Sequence, residues 1–165
     1  NLSSHKRGWD SRWEEFSNWA EKGMQYQSEL IRLVDEDTDA FNKIMDAFGL
    51  PKKTEDEKAA RKQAIQDATK NAIMVPFRVM EVAYKSLEVI KAMAEIGNPN
   101  SVSDAGVGAL AIRSCVKGAF LNVKINSGDL EDKDFVKGIL EKGSEIERKT
   151  EEIEKEILKI VEGKL

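Results

Sequence analysis

Cysteine and histidine are nearly missing from this 165-residue chain, with one of each, Cys115 and His5. A lone cysteine excludes an intramolecular disulfide and fits a reducing, cytoplasmic setting. One cysteine and one histidine cannot build a Cys/His metal site within a single chain, and no acidic metal loop or Glu-x-x-His motif takes its place. We therefore expect no metal. Proline occurs three times and no Gly/Pro-rich linker interrupts the chain, so residues 1–165 read as one domain, long enough for a real core. No apolar run approaches the roughly 18 residues of a membrane span, and no signal peptide is visible. With 26 basic against 30 acidic side chains the net charge is −4, which argues against nucleic acid as the main partner. The chain starts at Asn1 without an initiator methionine, which reads as a fragment or a processed product.

Helical periodicity fills what remains. Hydrophobic residues make up 41% and charged residues 34%, and apolar side chains recur at steps of three and four with no strand-like alternation. Four helices are expected. The first spans 11–48 and stops at Gly49-Leu50-Pro51. The second opens at the capping-box pattern Thr54-x-x-Glu57 and runs to residue 96, where Gly97-Asn98-Pro99 ends it, with Pro76 kinking or splitting it. The third covers 101–126 and breaks at Ser127-Gly128. The fourth covers 132–162, with Val136, Ile139, Ile146, Ile153, Ile157 and Ile160 forming a heptad-like seam. The fold class is all-α, an up-and-down bundle. The outer helices, at roughly 57 and 46 Å, exceed what a bundle body needs. Seams of that length often pair with another subunit, so a homodimer or higher homo-oligomer is expected.

The most informative stretch is Leu33-Val-Asp-Glu-Asp-Thr-Asp-Ala-Phe41. Around it Trp9, Trp13, Phe16, Ala20, Met24, Ile31, Val34, Phe41, Met45 and Phe48 trace one helix face. At about 100° per residue Asp37 falls on the edge of that face, with Leu33 one turn before it and Phe41 one turn after. Asp39 points away and Asp35 sits on the far flank. A carboxylate among Leu, Ile and Phe is hard to ionise, so Asp37 is expected to shift upward toward the range useful for proton transfer. The plainer alternative is a partly buried, hydrogen-bonded structural aspartate.

The third helix opens Ser103-Asp-Ala-Gly-Val-Gly-Ala109, with two glycines where alanine would be more stable. Ala105, Gly108, Ala111, Cys115, Gly118, Ala119, Asn122 and Asn126 set small or polar side chains at steps of three and four. Such a face admits a second backbone or a flat ligand. Its Gly-x-Gly follows no strand and is not a nucleotide fingerprint. Asp104 at the helix start stays ionised there and reads either as a simple cap or as the charged partner of a neutral Asp37. Asn122 and Asn126, one turn apart, either read a heterocycle or satisfy buried backbone groups.

Three segments together, residues 33–41, Gly97-Asn98 with Ser103-Asp104, and Gly118-Ala-Phe-Leu-Asn-Val-Lys-Ile-Asn126, resemble the formiminotetrahydrofolate cyclodeaminase / methenyltetrahydrofolate cyclohydrolase family. Leu50-Pro-Lys-Lys-Thr-Glu-Asp-Glu-Lys58 and Val75-Pro76 are similar to it too. The resemblance covers nearly the whole chain and implies an all-helical dimer with the folate site at the subunit interface. It implies that Asp37 matches the catalytic aspartate and, less directly, that Asp104 and Asn122 lie in functional motifs. The family domain usually opens with a Gly-Gly-Gly-Ser and Ala-rich helix. This chain begins after it, at Ser4-His-Lys-Arg7, so an N-terminally incomplete domain is expected. A fused upstream formiminotransferase domain is a further expected partner.

The implied substrate is 5-formiminotetrahydrofolate, with tetrahydrofolate as carrier, and the implied products are 5,10-methenyltetrahydrofolate and ammonia, as in histidine degradation. Asp37 would take the N10 proton and return one to the leaving nitrogen. Asp104 or Asp35 would stabilise cationic species, and Lys6 and Arg7 would meet the glutamate tail. Two alternatives stand beside this reading: a methenyltetrahydrofolate cyclohydrolase, with water as nucleophile, and a non-catalytic helical oligomerisation module.

Overall fold

The computed structural model describes residues 10–165. Four long helices follow one another: α1 (Trp13–Gly49), α2 (Glu55–Ile96), α3 (Val102–Asn126) and α4 (Lys133–Glu162), with short 3-10 turns at Asp10–Arg12 and Pro99–Ser101. No strand occurs among the described residues. Local chemistry sets the boundaries. Thr54 accepts a hydrogen bond from Glu57 N at 3.2 Å, and the Glu57 carboxylate accepts one from Thr54 N at 3.1 Å, which closes the expected capping box. Gly97 ends α2 by donating to Met93 O. A Cβ at that position would stand 2.4 Å from the Met93 carbonyl oxygen, so only glycine fits. Asp132 starts α4 by accepting from Phe135 N at 3.0 Å. Pro76 lies inside α2 without splitting it.

The helices run up and down, but they do not form a closed square. α2, α3 and α4 all pack on one another, whereas α1 packs on α2 and makes no close backbone approach to α3 or α4. Two apolar clusters fill the three-helix body. One centres on Ile73, Phe77, Met80, Val116, Phe120 and Ile139, the other on Leu87, Ala94, Val102, Ala109, Ile157 and Val161. Gly143 lies under Phe120, where an added Cβ would meet the ring at 2.4 Å. Arg113 of α3 faces three carboxylates of α4: Glu147 at 3.8 Å, Glu151 at 2.5 Å and Glu154 at 3.3 Å. Near the end of the described chain, Lys164 donates to the Ala94 and Glu95 carbonyls at 2.7 and 2.6 Å, capping the last turn of α2.

Two expectations are corrected here. The α4 seam is not left for another subunit: Ile139 and Ile157 are buried, and Val136, Ile146, Ile153 and Ile160 pack against the same two clusters. The apolar face expected to be the core side of α1 is mostly its outer side. α1 buries Phe16, Leu33, Ala40 and Ala47, while Trp13, Met24, Ile31, Val34, Phe41, Met45 and Phe48 are exposed. Small side chains explain the reversal. Ala40 and Leu33 pack against Ala72 and Val75 of α2, which brings the helices close and turns the bulkier stripe outward. Trp9 lies outside the described residues.

Candidate functional site

α1 and α3 both lean on α2 without meeting each other, which leaves a groove along α2 between them. Its best-formed part, about 430 Å³, is lined by Gly23, Tyr26, Gln27, Leu30, Ile31 and Val34 of α1 and by Ser86, Val89 and Ile90 of α2. On the α3 side Gly108 comes close to Ile90, where a Cβ would stand 3.0 Å from the isoleucine Cδ1. Of the small-residue face of α3, Gly108 thus meets α2 at the groove, while Ala111, Cys115, Gly118 and Asn122 are exposed.

Asp37 lies one turn beyond Val34, past the end of this pocket. It sits between the two faces of α1, the buried stripe of Leu33 and Ala40 and the exposed stripe of Val34 and Phe41. The expected edge position is therefore found, but not the expected burial. Asp37 is exposed in the single chain, because its neighbours on one side are themselves uncovered. The desolvation invoked from sequence needs something to cover that face.

Pairings along the helices fix what stands level with Asp37. Tyr26 with Glu88 and Glu36 with Arg78 join α1 to α2, and these antiparallel pairs put Asp37 opposite Phe77. Ala72 with Asn126 and Ile90 with Gly108 join α2 to α3, which puts Phe77 opposite Leu121. Asn122, exposed on α3, is thus level with Asp37 across the groove. Asp104 is not. It is exposed in the first turn of α3, roughly 27 Å along the helix from Asn122 at about 1.5 Å per residue. Within one chain Asp37 and Asp104 do not share a site. Asp35 is exposed on α1. Asn126 is half-buried, and its side-chain amide donates to Ala72 O at 2.9 Å. Lys6 and Arg7 lie outside the described residues.

The groove also holds groups that the sequence reading passed over. The Tyr26 hydroxyl donates to the Glu88 carboxylate, which Lys22 also contacts at 2.7 Å. Burial, together with the Glu88 charge, pushes the Tyr26 phenol up to about 12. Hydrogen bonds from Lys22 and then Tyr26 hold Glu88 below the usual carboxylate range. Ser86 donates to Ala83 O at 2.7 Å. Spacing alone could have flagged the tyrosine, since Tyr26, Leu30, Leu33 and Asp37 follow at steps of four, three and four. Glu88 is 62 positions away, beyond local pattern. Among the described residues no group of His, Cys, Asp and Glu is placed to hold a metal, and no helix is long and apolar enough to cross a membrane.

A formiminotransferase-cyclodeaminase family profile matches residues 1–145. The chain is 39% identical over 115 residues to methenyltetrahydrofolate cyclohydrolase of Methylorubrum extorquens, covering 70% of this chain and 55% of that protein. It is 37% identical over 111 residues to formimidoyltransferase-cyclodeaminase of Gallus gallus, covering 67% of this chain and 20% of that one. The chain therefore spans about half the length of the first relative and a fifth of the second. Among solved structures, formiminotetrahydrofolate cyclodeaminase from Thermotoga maritima superposes with a TM-score of 0.83 at 29% identity, covering 99% of this chain and 77% of that one.

Proposed function

The chain belongs to the formiminotransferase-cyclodeaminase family, and from that premise we propose that it is a folate-dependent one-carbon enzyme converting 5-formiminotetrahydrofolate to 5,10-methenyltetrahydrofolate and ammonia. The observation that carries the reading is the position of Asp37, at the seam between the buried and exposed faces of α1 and level with Asn122 across an apolar groove. A flat heterocycle laid in that groove would place its reacting carbon beside a carboxylate and beside an amide able to orient it.

The chemistry needs only proton movement. N10 attacks the amidinium carbon on N5, a carbon–nitrogen bond closes the five-membered ring, and N10 gives up its proton. The carbon–nitrogen bond to the former imino group then breaks, and that nitrogen leaves as ammonia once protonated. No oxidation state changes. Asp37 is the group we assign to take the first proton and return it to the departing nitrogen, a role worth about 10²–10⁴-fold in rate. The positive charge along this path calls for a second carboxylate. Asp35, on the same helix, and Asp104, supplied from elsewhere in an assembly, are the candidates, and Lys6 and Arg7 remain proposed contacts for the glutamate tail.

A homodimer or higher homo-oligomer completes the proposal. The exposed α1 stripe and Val107, Leu110, Leu121 and Ile125 of α3 leave large apolar side chains in solvent, as surfaces that take a partner do. Covering that surface with a second copy would also desolvate Asp37. A fused formiminotransferase domain, a cytoplasmic setting and a place in histidine degradation go with this reading.

A second reading has its own support. Of the two relatives named by sequence, the cyclohydrolase is covered over the larger share of its length, 55% against 20%, while the Thermotoga maritima cyclodeaminase is covered over 77%. Water attack on the methenyl carbon would use the same acid–base group. Turnover assays separate the two. With 5-formiminotetrahydrofolate, methenyltetrahydrofolate absorbance and ammonia release are expected together, on this chain beside an N-terminally extended form. Hydrolysis of methenyltetrahydrofolate without deamination would assign the cyclohydrolase. A folded oligomer silent toward both folates would leave the oligomerisation module. Loss of turnover in Asp37→Asn is expected under either enzymatic reading.

A further inference from the structure

Pro76 lies buried inside α2, and proline has no N–H to donate one turn back. The carbonyl of Ala72, in a residue only 5% exposed, therefore lacks its helical donor. A buried acceptor left unpaired costs more than an ordinary hydrogen bond contributes. The missing donor comes from another helix: Asn126 Nδ2 reaches Ala72 O at 2.9 Å. Asn126 is the last residue of α3, and the next residue anchors that end, since the buried Ser127 donates its hydroxyl to Val123 O at 2.6 Å. The bond thus pins the end of α3 to α2 little more than one turn from the height at which Asp37 and Asn122 face the groove. The two asparagines, one turn apart and alike in sequence, differ in place: Asn122 is exposed and Asn126 is half-buried.

We infer that Asn126 is a positioning residue coupled to Pro76, acting through the Ala72 carbonyl rather than on substrate. Pro76 opens an acceptor in α2, Asn126 fills it, and the filled bond sets the registry of α2 and α3 beside the groove. The catalytic half of this inference rests on the folate reading above, whereas the coupling does not.

A double-mutant cycle on the full chain tests it. In the native background Asn126→Ala is expected to raise the unfolding equilibrium constant about 10- to 100-fold. In a Pro76→Ala background residue 76 regains an N–H that can bond Ala72 O, and the same change should shift the constant by less than about threefold. Equal factors in the two backgrounds would overturn the coupling. An Asn126→Ala chain that folds only beside Pro76→Ala is the expected result in extreme form. Turnover of 5-formiminotetrahydrofolate gives the second readout. Asn126→Ala should lower kcat with KM within about twofold, and Pro76→Ala should recover part of that loss. A KM raised by one common factor in both backgrounds would make Asn126 a substrate contact and overturn the assignment. If the native chain turns over no folate, the unfolding cycle alone decides the coupling.

Discussion

α4 and α1 repeat apolar side chains at the same steps of three and four, yet α4 buries its seam against α2 and α3 while α1, Phe16 apart, leaves most of its bulky stripe in solvent. The bonds that hold them differ as well. α4 shares two apolar clusters with its neighbours. α1 rests on a narrow stripe of Leu33, Ala40 and Ala47 and is stitched to α2 by polar groups: Tyr26 and Lys22 to Glu88, and Arg78 to Glu29 at 3.0 Å and Glu36 at 2.9 Å. Exposed pairs of this kind contribute little each. The difference teaches that periodicity reports a helix with an apolar face, while side-chain size decides which face becomes core.

If α1 serves chemistry and association more than core stability, substitutions should sort accordingly. The largest effect is expected at Asp37: Asp37→Asn should lower turnover by about 10²–10⁴-fold with no change in the thermal unfolding midpoint of the single chain, where the side chain is exposed. A large loss of stability there would break the contrast. Next comes the body. Leu87→Ala, at a fully buried position, should cost about 2–5 kcal/mol in denaturant unfolding, and a much smaller value would mean that the α2–α3–α4 core is looser than its packing.

The polar stitching predicts a pH response in α1. The Tyr26 phenol is raised to about 12 from 10.0, so its contribution is fully present below its unfolded value and is lost as pH rises toward the folded one. Glu88 is lowered, so its contribution is present above the ordinary carboxylate range and is lost as pH falls through its depressed value. Amide exchange in α1 should therefore quicken at both extremes, and Tyr26→Phe should abolish the alkaline limb and weaken the acid one, which Lys22 then carries alone. The smallest effect on the single chain is expected at Phe41→Asp, within about 0.5 kcal/mol of the native chain. Sedimentation should nonetheless show loss of the proposed self-association. An unchanged assembly would move the interface away from α1.

Helix number, order and ends were legible in the sequence because they rest on local chemistry: the Thr54 box, the Gly97 stop, Asp132 ahead of the fourth helix. The edge position of Asp37 was legible for the same reason. Its exposure was not, since that depends on Ala40 and Ala47 outranking Phe41 and Met45 for contact with α2. Nor could spacing separate Asp37 from Asp104, which stand far apart along the bundle. Asn122 and Asn126 looked equivalent by periodicity, and only the Ala72 carbonyl, opened by a proline fifty positions before Asn126, tells them apart.

Two of the contacts between α3 and α4 differ in how they respond to sliding. Arg113 reads a ladder of carboxylates at Glu147, Glu151 and Glu154, and its buried Nη1 makes no hydrogen bond. A ladder is nearly indifferent to sliding: moving α4 by one turn, about 5.4 Å, would offer the guanidinium another rung. Phe120 is not indifferent. It fits over Gly143, and the same slide would bring Ile139 or Glu147 under the ring, where there is no room. Apolar packing and charge hold the two helices together, but a notch in the backbone at Gly143 decides where along their length they stop.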